Sequence, residues 1–422
     1  MKDLRAYSKG VALFALAFVV GNNIKAQGNQ YDKAEQLQLN TITTAVPFLL
    51  ITPDSRAGGM GDAGVASSTD VNSIHWNPSK LAFADKKMGI GVSYTPWLRK
   101  LVPDINLAYL SGYYKTKKSG TIGASLRYFS LGDITFTDEN GNTIGQFKPN
   151  EFALDVAYAT KLSKNFGVGG AVRFTNSNLT GGTMVAGSET KSGRAISVDI
   201  SALYKKEKLK LGDKKGVLGI GLAITNIGQK MSYSNRGGKD NADFIPINMR
   251  LGGSLMVQLD DYNSITLLAD VNKLLVPTPP IYLHTYDSTG RDMGIAYDAN
   301  NDPIIEKGKD PNRGVAEGIF GSFNDAPGGG KEELRELNYS IGLEYWYNKL
   351  FAVRAGYFYE HPTKGNRQYF TLGAGVRYNV FGLDFAYLIP TQQQNPLENT
   401  LRFTLTFDFD AFKAQNDEKT SE

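Results

Sequence analysis

Leu401 to Phe409 reads LRFTLTFDF: Leu401, Phe403, Leu405, Phe407 and Phe409 point one way, and Arg402, Thr404, Thr406 and Asp408 the other. A strict period of two marks a strand with one apolar and one polar face. Working back along the chain, the pattern recurs to residue 87. It gives fourteen runs, near 87–95, 103–114, 120–131, 150–161, 165–176, 194–205, 216–226, 245–259, 264–275, 336–347, 350–360, 367–378, 381–389 and 399–409. A soluble sandwich alternates too, so alternation alone does not imply a membrane. Three further features do. The runs reach about 10 residues, the length a tilted strand needs to cross hydrocarbon. Aromatics gather near their ends, at Tyr94 and Trp97, Tyr113 and Tyr114, Tyr345 to Tyr347, and Tyr357 and Tyr359. Short links (161–165, 259–264, 347–350, 378–381) alternate with long ones (132–150, 176–193, 226–245, 276–335). These features predict an all-β fold, a 14-stranded antiparallel outer-membrane β-barrel over residues 87–409 with both termini periplasmic.

Composition and targeting agree. The 422 residues hold 46 glycines and 22 each of tyrosine and phenylalanine, as expected of strands apolar on one side only. A net charge of +4 carries no nucleic-acid footprint. Lys2, Arg5 and Lys9, then apolar Val11 to Val20, then Ala26 read as a signal peptide over residues 1–26. With no cysteine, neither a lipid anchor nor a disulfide is available. Residues 410–422 form a charged tail.

One stretch fits no strand: Thr52 to Phe83, TPDSRAGGMGDAGVASSTDVNSIHWNPSKLAF. Gly58, Gly59, Gly61 and Gly64 permit sharp turns and close backbone approach. Arg56, Met60 and Asp62 stand among them, and Trp76 before Asn77-Pro78 supplies a large anchor and a turn. No lysine or strand-to-helix context of a phosphate loop accompanies the glycines. The expectation is a compact hatch within residues 27–86, wedged in the lumen. The polar strand faces support a filler: Arg127, Asp155, Arg173, Asp199, Arg250, Asp270, Glu344, Arg354, Arg377, Asp384 and Arg402 alternate in sign on neighbouring strands at most steps. Such balanced charge suits an interior in which each group needs a partner. The residues alone leave open a wet pore lined by the same groups.

The run Ser55 to Ala66 followed by Asn77-Pro78 ahead of fourteen strands resembles the long-chain fatty-acid transporter superfamily. There an N-terminal hatch plugs the barrel and carries an Asn-Pro-Ala motif; the third position here is Ser79. Within it, Val46 to Leu49, Asp54 to Gly58, His75 to Lys80 and Val92 to Leu98 resemble the PorV family of Bacteroidetes type IX secretion barrels. The resemblance implies binding the C-terminal signal domain of cargo leaving a large translocon barrel. It also implies passing that cargo to a sortase-like surface protease and attachment complex, which links it to lipopolysaccharide or releases it.

The loop 276–335 is the longest connection, and loops of this length are functional or disordered. Tyr282, Tyr286, Ile319, Phe320 and Phe323 make it a candidate partner surface; a loop packing only on its own barrel is the alternative. Asp287, Asp292, Asp298, Asp302 and Asp310 lack the spacing of a calcium loop and are read as solvated. The turn 205–215, with six lysines, reads as a solvated basic rim. His75, His284 and His361 lie apart, and no catalytic, metal-ligand or cofactor constellation is visible. A cargo-binding interaction protein is therefore expected; a hatch-gated transporter of hydrophobic solutes is the alternative and an open porin the third reading.

Overall fold

The computed structural model describes residues 39–100, 102, 104–117, 120–137, 140–182, 184–185, 188–234, 242–392 and 395–409. The expected signal peptide, residues 27–38 of the expected hatch region and the 410–422 tail lie outside them. Fourteen antiparallel strands close one barrel. They are β1 (Met88–Pro96), β2 (Asn106–Lys115), β3 (Thr121–Ser130), β4 (Asn150–Lys161), β5 (Phe166–Asn178), β6 (Gly193–Leu211), β7 (Lys214–Gly228), β8 (Asn248–Gln258), β9 (Asn263–Leu274), β10 (Asn338–Tyr347), β11 (Phe351–Tyr359), β12 (Gln368–Tyr378), β13 (Phe381–Pro390) and β14 (Leu401–Asp408). The first strand closes on the last, with Gly89 opposite Asp408 and Tyr94 opposite Phe403.

The period of two becomes two chemically distinct walls. Along β3, Thr121, Gly123, Ser125 and Arg127 are buried, while Ile122, Leu126 and Tyr128 are exposed. An outward face of Val, Leu, Ile, Tyr and Phe is what lipid accepts, and no edge strand is left unpaired. Tyr113, expected at an aromatic girdle, faces inward instead and is buried against the chain that fills the lumen.

Residues 45–84 are mostly buried inside the circle of strands, with exposed residues before and after them at the two mouths. The described residues begin at the long-loop end. There Asn40 donates to the carbonyl of Pro279 (3.1 Å) and to Glu332 (2.8 Å), and its N–H donates to the carbonyl of Thr363. The chain descends to the short-turn end, where Lys115 donates to the carbonyl of Ala84, and turns into β1. β14 ends at the same short-turn end, its Asp408 N–H on the carbonyl of Val380. The two ends of the chain, expected on one side, lie outside the described residues, the first of which stand at the long-loop mouth.

One link differs from its sequence reading. The lysine-rich 205–215 is a hairpin rather than a loose turn, because β6 and β7 pair on to Leu211 and Lys214. Between β9 and β10, the long loop folds as two small two-stranded sheets (Ile281–Tyr282 with Ile305–Lys307, and His284–Tyr286 with Asp292–Ile295). Two short helices follow, Val315–Gly321 and Gly330–Arg335.

Candidate functional site

The lumen-filling segment has little regular structure, so its backbone must find partners elsewhere. It finds them on strands all around it. Ser55 N–H donates to Thr404 of β14 (2.9 Å), Gly61 N–H to Thr371 of β12 (2.8 Å), and Gly64 and Val65 N–H both to Asp270 of β9 (2.7 and 2.9 Å). Ser79 N–H donates to Ser201 of β6 (2.9 Å). In return Arg127 of β3 donates to the carbonyl of Leu49 (2.7 Å) and Arg250 of β8 to that of His75 (3.0 Å). Strand side chains thus take the place of helix or sheet partners.

Glycine makes the approach possible. Gly61 has φ 65°, and a Cβ there would sit 2.6 Å from the Tyr357 backbone. Across from it, a Cβ on Gly356 of β11 would lie 2.1 Å from the Gly61 nitrogen. Two backbones touch where neither can carry a side chain. Gly58 abuts the Arg402 side chain, Gly59 the Gly373 backbone and Gly64 the Trp76 ring. Met60 is fully buried. Trp76 donates its indole N–H to Asp54 (2.7 Å), and Asn77 donates to the carbonyls of Val65 (2.9 Å) and Ala202 (3.2 Å). Pro78 opens a short 3-10 turn, Pro78–Phe83.

The charged residues form three groups. Arg56 makes a two-pronged contact with Glu344 (2.9 and 2.8 Å) and another with Asp70 (2.9 Å). Glu344 also accepts from Arg354, which bridges to Asp384, which Arg377 holds from the other side (2.8, 2.8 and 2.6 Å). Arg173 lies between Asp155 and Asp199 (2.5 and 3.0 Å) and reaches Asn226. Arg402 pairs with Asp62 (3.2 Å), whose other oxygen accepts from Tyr369 (2.5 Å).

Neighbouring-strand pairing therefore holds at some steps and not at others. Arg173 stands directly opposite Asp155, and Glu344 opposite Arg354. Arg127 faces Ala153 instead, two residues from Asp155, and Arg250 faces Asn272, two from Asp270. Those two arginines and Asp270 turn to the filling segment. Arg127 contacts His75 Nδ1 (2.6 Å), and the Arg250 guanidinium lies 4.9 Å from the Trp76 ring.

The family model for the type IX secretion system protein PorV matches residues 33–281, more than half of the chain. The chain belongs to the PorV family. No curated protein matches. Among solved structures, a FadL homologue from Pseudomonas aeruginosa is 13% identical over 88% of this chain and 100% of its own, with a TM-score of 0.42. The toluene transporter TodX from Pseudomonas putida is 14% identical over 83% and 96%, also at 0.42. As a PorV-family β-barrel, the protein is an outer-membrane component of type IX secretion.

Sequence reading missed several groups that hold this PorV-family lumen together. Lys80 is completely buried and donates to the carbonyl of Gly64 (3.0 Å) and to Ser67 (2.8 Å). A lysine two residues after Asn77-Pro78 gives no signal of burial. At the long-loop end, Lys273 contacts Glu333 and Glu336 (3.0 and 2.6 Å), and Lys364 contacts Glu332 and Glu336 (2.5 and 3.0 Å). These pairs latch the helix Gly330–Arg335 across the mouth. Beneath it is a cavity of about 360 Å³ lined by Ile42, Leu50, Trp97, Lys364, Arg367 and Arg402, among others.

The candidate loop residues separate. Ile319 packs inward on the cluster of Phe48, Leu49 and Phe244. Tyr282 is half-buried, whereas Tyr286, Phe320 and Phe323 are 66%, 79% and 50% exposed. Asp287, Asp298 and Asp310 cap turns by accepting from backbone N–H groups of Thr289, Asn300 and Asn312.

Proposed function

We propose that this PorV-family barrel is a cargo receptor rather than a conduit. Residues 40–86 act as its hatch, the long-loop end faces the cell surface, and exposed Tyr286, Phe320 and Phe323 receive the C-terminal signal domain of cargo at the translocon barrel. The barrel then hands the cargo to the sortase-like attachment complex. The observation that carries this reading is a lumen obstructed by residues 45–84, with cavities of about 360 and 640 Å³ left at its two ends, in a member of a secretion family. A solute path would have to break hydrogen bonds to eight strands, among them buried ionic ones that cost about 3–5 kcal/mol each to leave half-paired. With the lumen occupied, the exposed chemistry that remains for a partner is on the loops.

Uptake of hydrophobic solutes is the second reading, favoured by the cavity of about 360 Å³ at the long-loop end. Gene deletion separates the two. The receptor reading expects type IX cargo retained in the periplasm with its signal domain uncleaved, seen by immunoblot of fractions. Normal secretion with lost growth on a hydrophobic nutrient would overturn it.

A further inference from the structure

Strand β6 does not stop at the barrel rim. Its pairing with β5 ends where Tyr204 meets Phe166, yet it runs on with β7 until Leu211 meets Lys214. The projecting hairpin holds Lys205, Lys206, Lys208, Lys210, Lys214 and Lys215 against only two acids, Glu207 and Asp213.

Unbroken alternation would put Leu209 and Leu211 on the lumen side with Lys205. The register instead shifts between Lys206 and Leu209, and Lys208 takes φ 58°. One extra residue moves everything after it to the other face. Leu209 now stands opposite Gly216, and Leu211 opposite Lys214. Those β7 positions share the face of Ile220 and Leu222, exposed on the barrel's outside. The hairpin's outer face therefore reads Lys206, Leu209, Leu211, Lys214 and Leu218, continuous with the lipid-facing wall. Its inner face carries Lys205, Lys210 and Lys215, with Lys205 Nζ 5.7 Å from the ring of Phe83 in the lumen.

We infer that this hairpin is a membrane-interface anchor that binds anionic phospholipid headgroups in the leaflet at the short-turn end. Leucines aligned with the lipid wall reach the acyl boundary, and the lysine stems between them carry their ammonium groups to the phosphates. Lys214 also donates to the carbonyl of Leu259 (2.7 Å) and lies 3.9 Å from the Asp213 carboxylate, which holds its exposed ammonium at the rim. Lysines on a strand edge also discourage edge-to-edge pairing, but that role needs charge on either face. The anchor needs it on the outer one.

Native mass spectrometry of the full-length protein in detergent reads the difference, with phosphatidylglycerol or phosphatidylcholine added. The wild type should retain phosphatidylglycerol preferentially. Lys206→Gln with Lys214→Gln should lower that retention about tenfold. Lys210→Gln with Lys215→Gln removes the same charge from the inner face and should leave it unchanged. Heat-modifiable gel mobility checks that both variants are folded barrels. Equal retention of the two lipids by the wild type, or equal losses in both variants, overturns the assignment.

Discussion

The two mouths of this barrel use lysine in opposite ways. At the long-loop end, Lys273 and Lys364 each sit between two carboxylates, with side chains 4% exposed. At the short-turn end, lysines 206, 208, 210, 214 and 215 are exposed on a projecting hairpin. A buried cation is fixed by its partners, and losing one leaves an uncompensated charge at a cost of about 3–5 kcal/mol. An exposed ion pair contributes about 0–1 kcal/mol and leaves its cation available to something else. The same residue type thus closes one mouth and addresses the surroundings at the other. Position relative to the filled lumen decides which.

The largest expected effect is all-or-none and concerns which mouth faces outward. The chain has no cysteine, so single substitutions report cleanly. Thr43→Cys, exposed at the long-loop end, should react with a membrane-impermeant maleimide on intact cells. Asp213→Cys, at the hairpin tip, should react only after permeabilisation. The reverse pattern would invert the comparison.

Next comes the lumen itself. Arg354 is 1% exposed between Glu344 and Asp384. Arg354→Met should lower barrel stability by about 3–5 kcal/mol in chemical denaturation, since two buried carboxylates lose their shared partner. Gly61→Ala should cost about 2–4 kcal/mol, combining left-handed strain with a clash against the Tyr357 backbone. A melting point unchanged by either variant would mean that the segment and the barrel are not coupled.

Smaller effects belong to the long-loop latch. Lys364→Ala leaves Glu332 and Glu336 short of a donor, about 1–3 kcal/mol locally. Limited proteolysis should then cut faster within 276–335 while the barrel keeps its melting point. The mildest perturbation is pH. Burial pushes the Glu332 carboxyl up, but Lys364, the Gly328 N–H and Asn40 outweigh it and hold it below the usual glutamate value. A depressed carboxyl adds stability above its unfolded value of about 4.3 and loses it as pH falls through the folded value. The hydrogen-exchange protection factor of Gly330–Arg335, with the intrinsic pH dependence of amide exchange divided out, should therefore fall below about pH 4 and stay flat from pH 6 to 8.

How much of this was legible before the structure depended on the range of the interaction. Alternation over Leu401–Phe409 and its thirteen counterparts announces strands, because side-chain direction is set by the residue's own backbone. The glycines of 58–64 announce close approach for the same local reason. The partners of Arg127, Arg250 and Asp270 were not legible, since each turns to the filling segment, while Arg173 meets Asp199 across the same two-residue offset. Lys80 and the Lys273–Glu336 contact were hidden too, because their partners lie 13 or more residues away on chain that folds back.

By itself, the sequence determined a fourteen-stranded antiparallel barrel, its lipid-facing wall and a glycine-rich segment suited to close packing. Each follows from a period or a residue type that acts on its own backbone. Only the tertiary structure decided that the described chain starts at the long-loop mouth, which charges meet, and that a single bulge at Lys208 turns two leucines outward. Those are matters of register. A shift of one residue reverses every side chain after it, and no residue type announces where the shift falls.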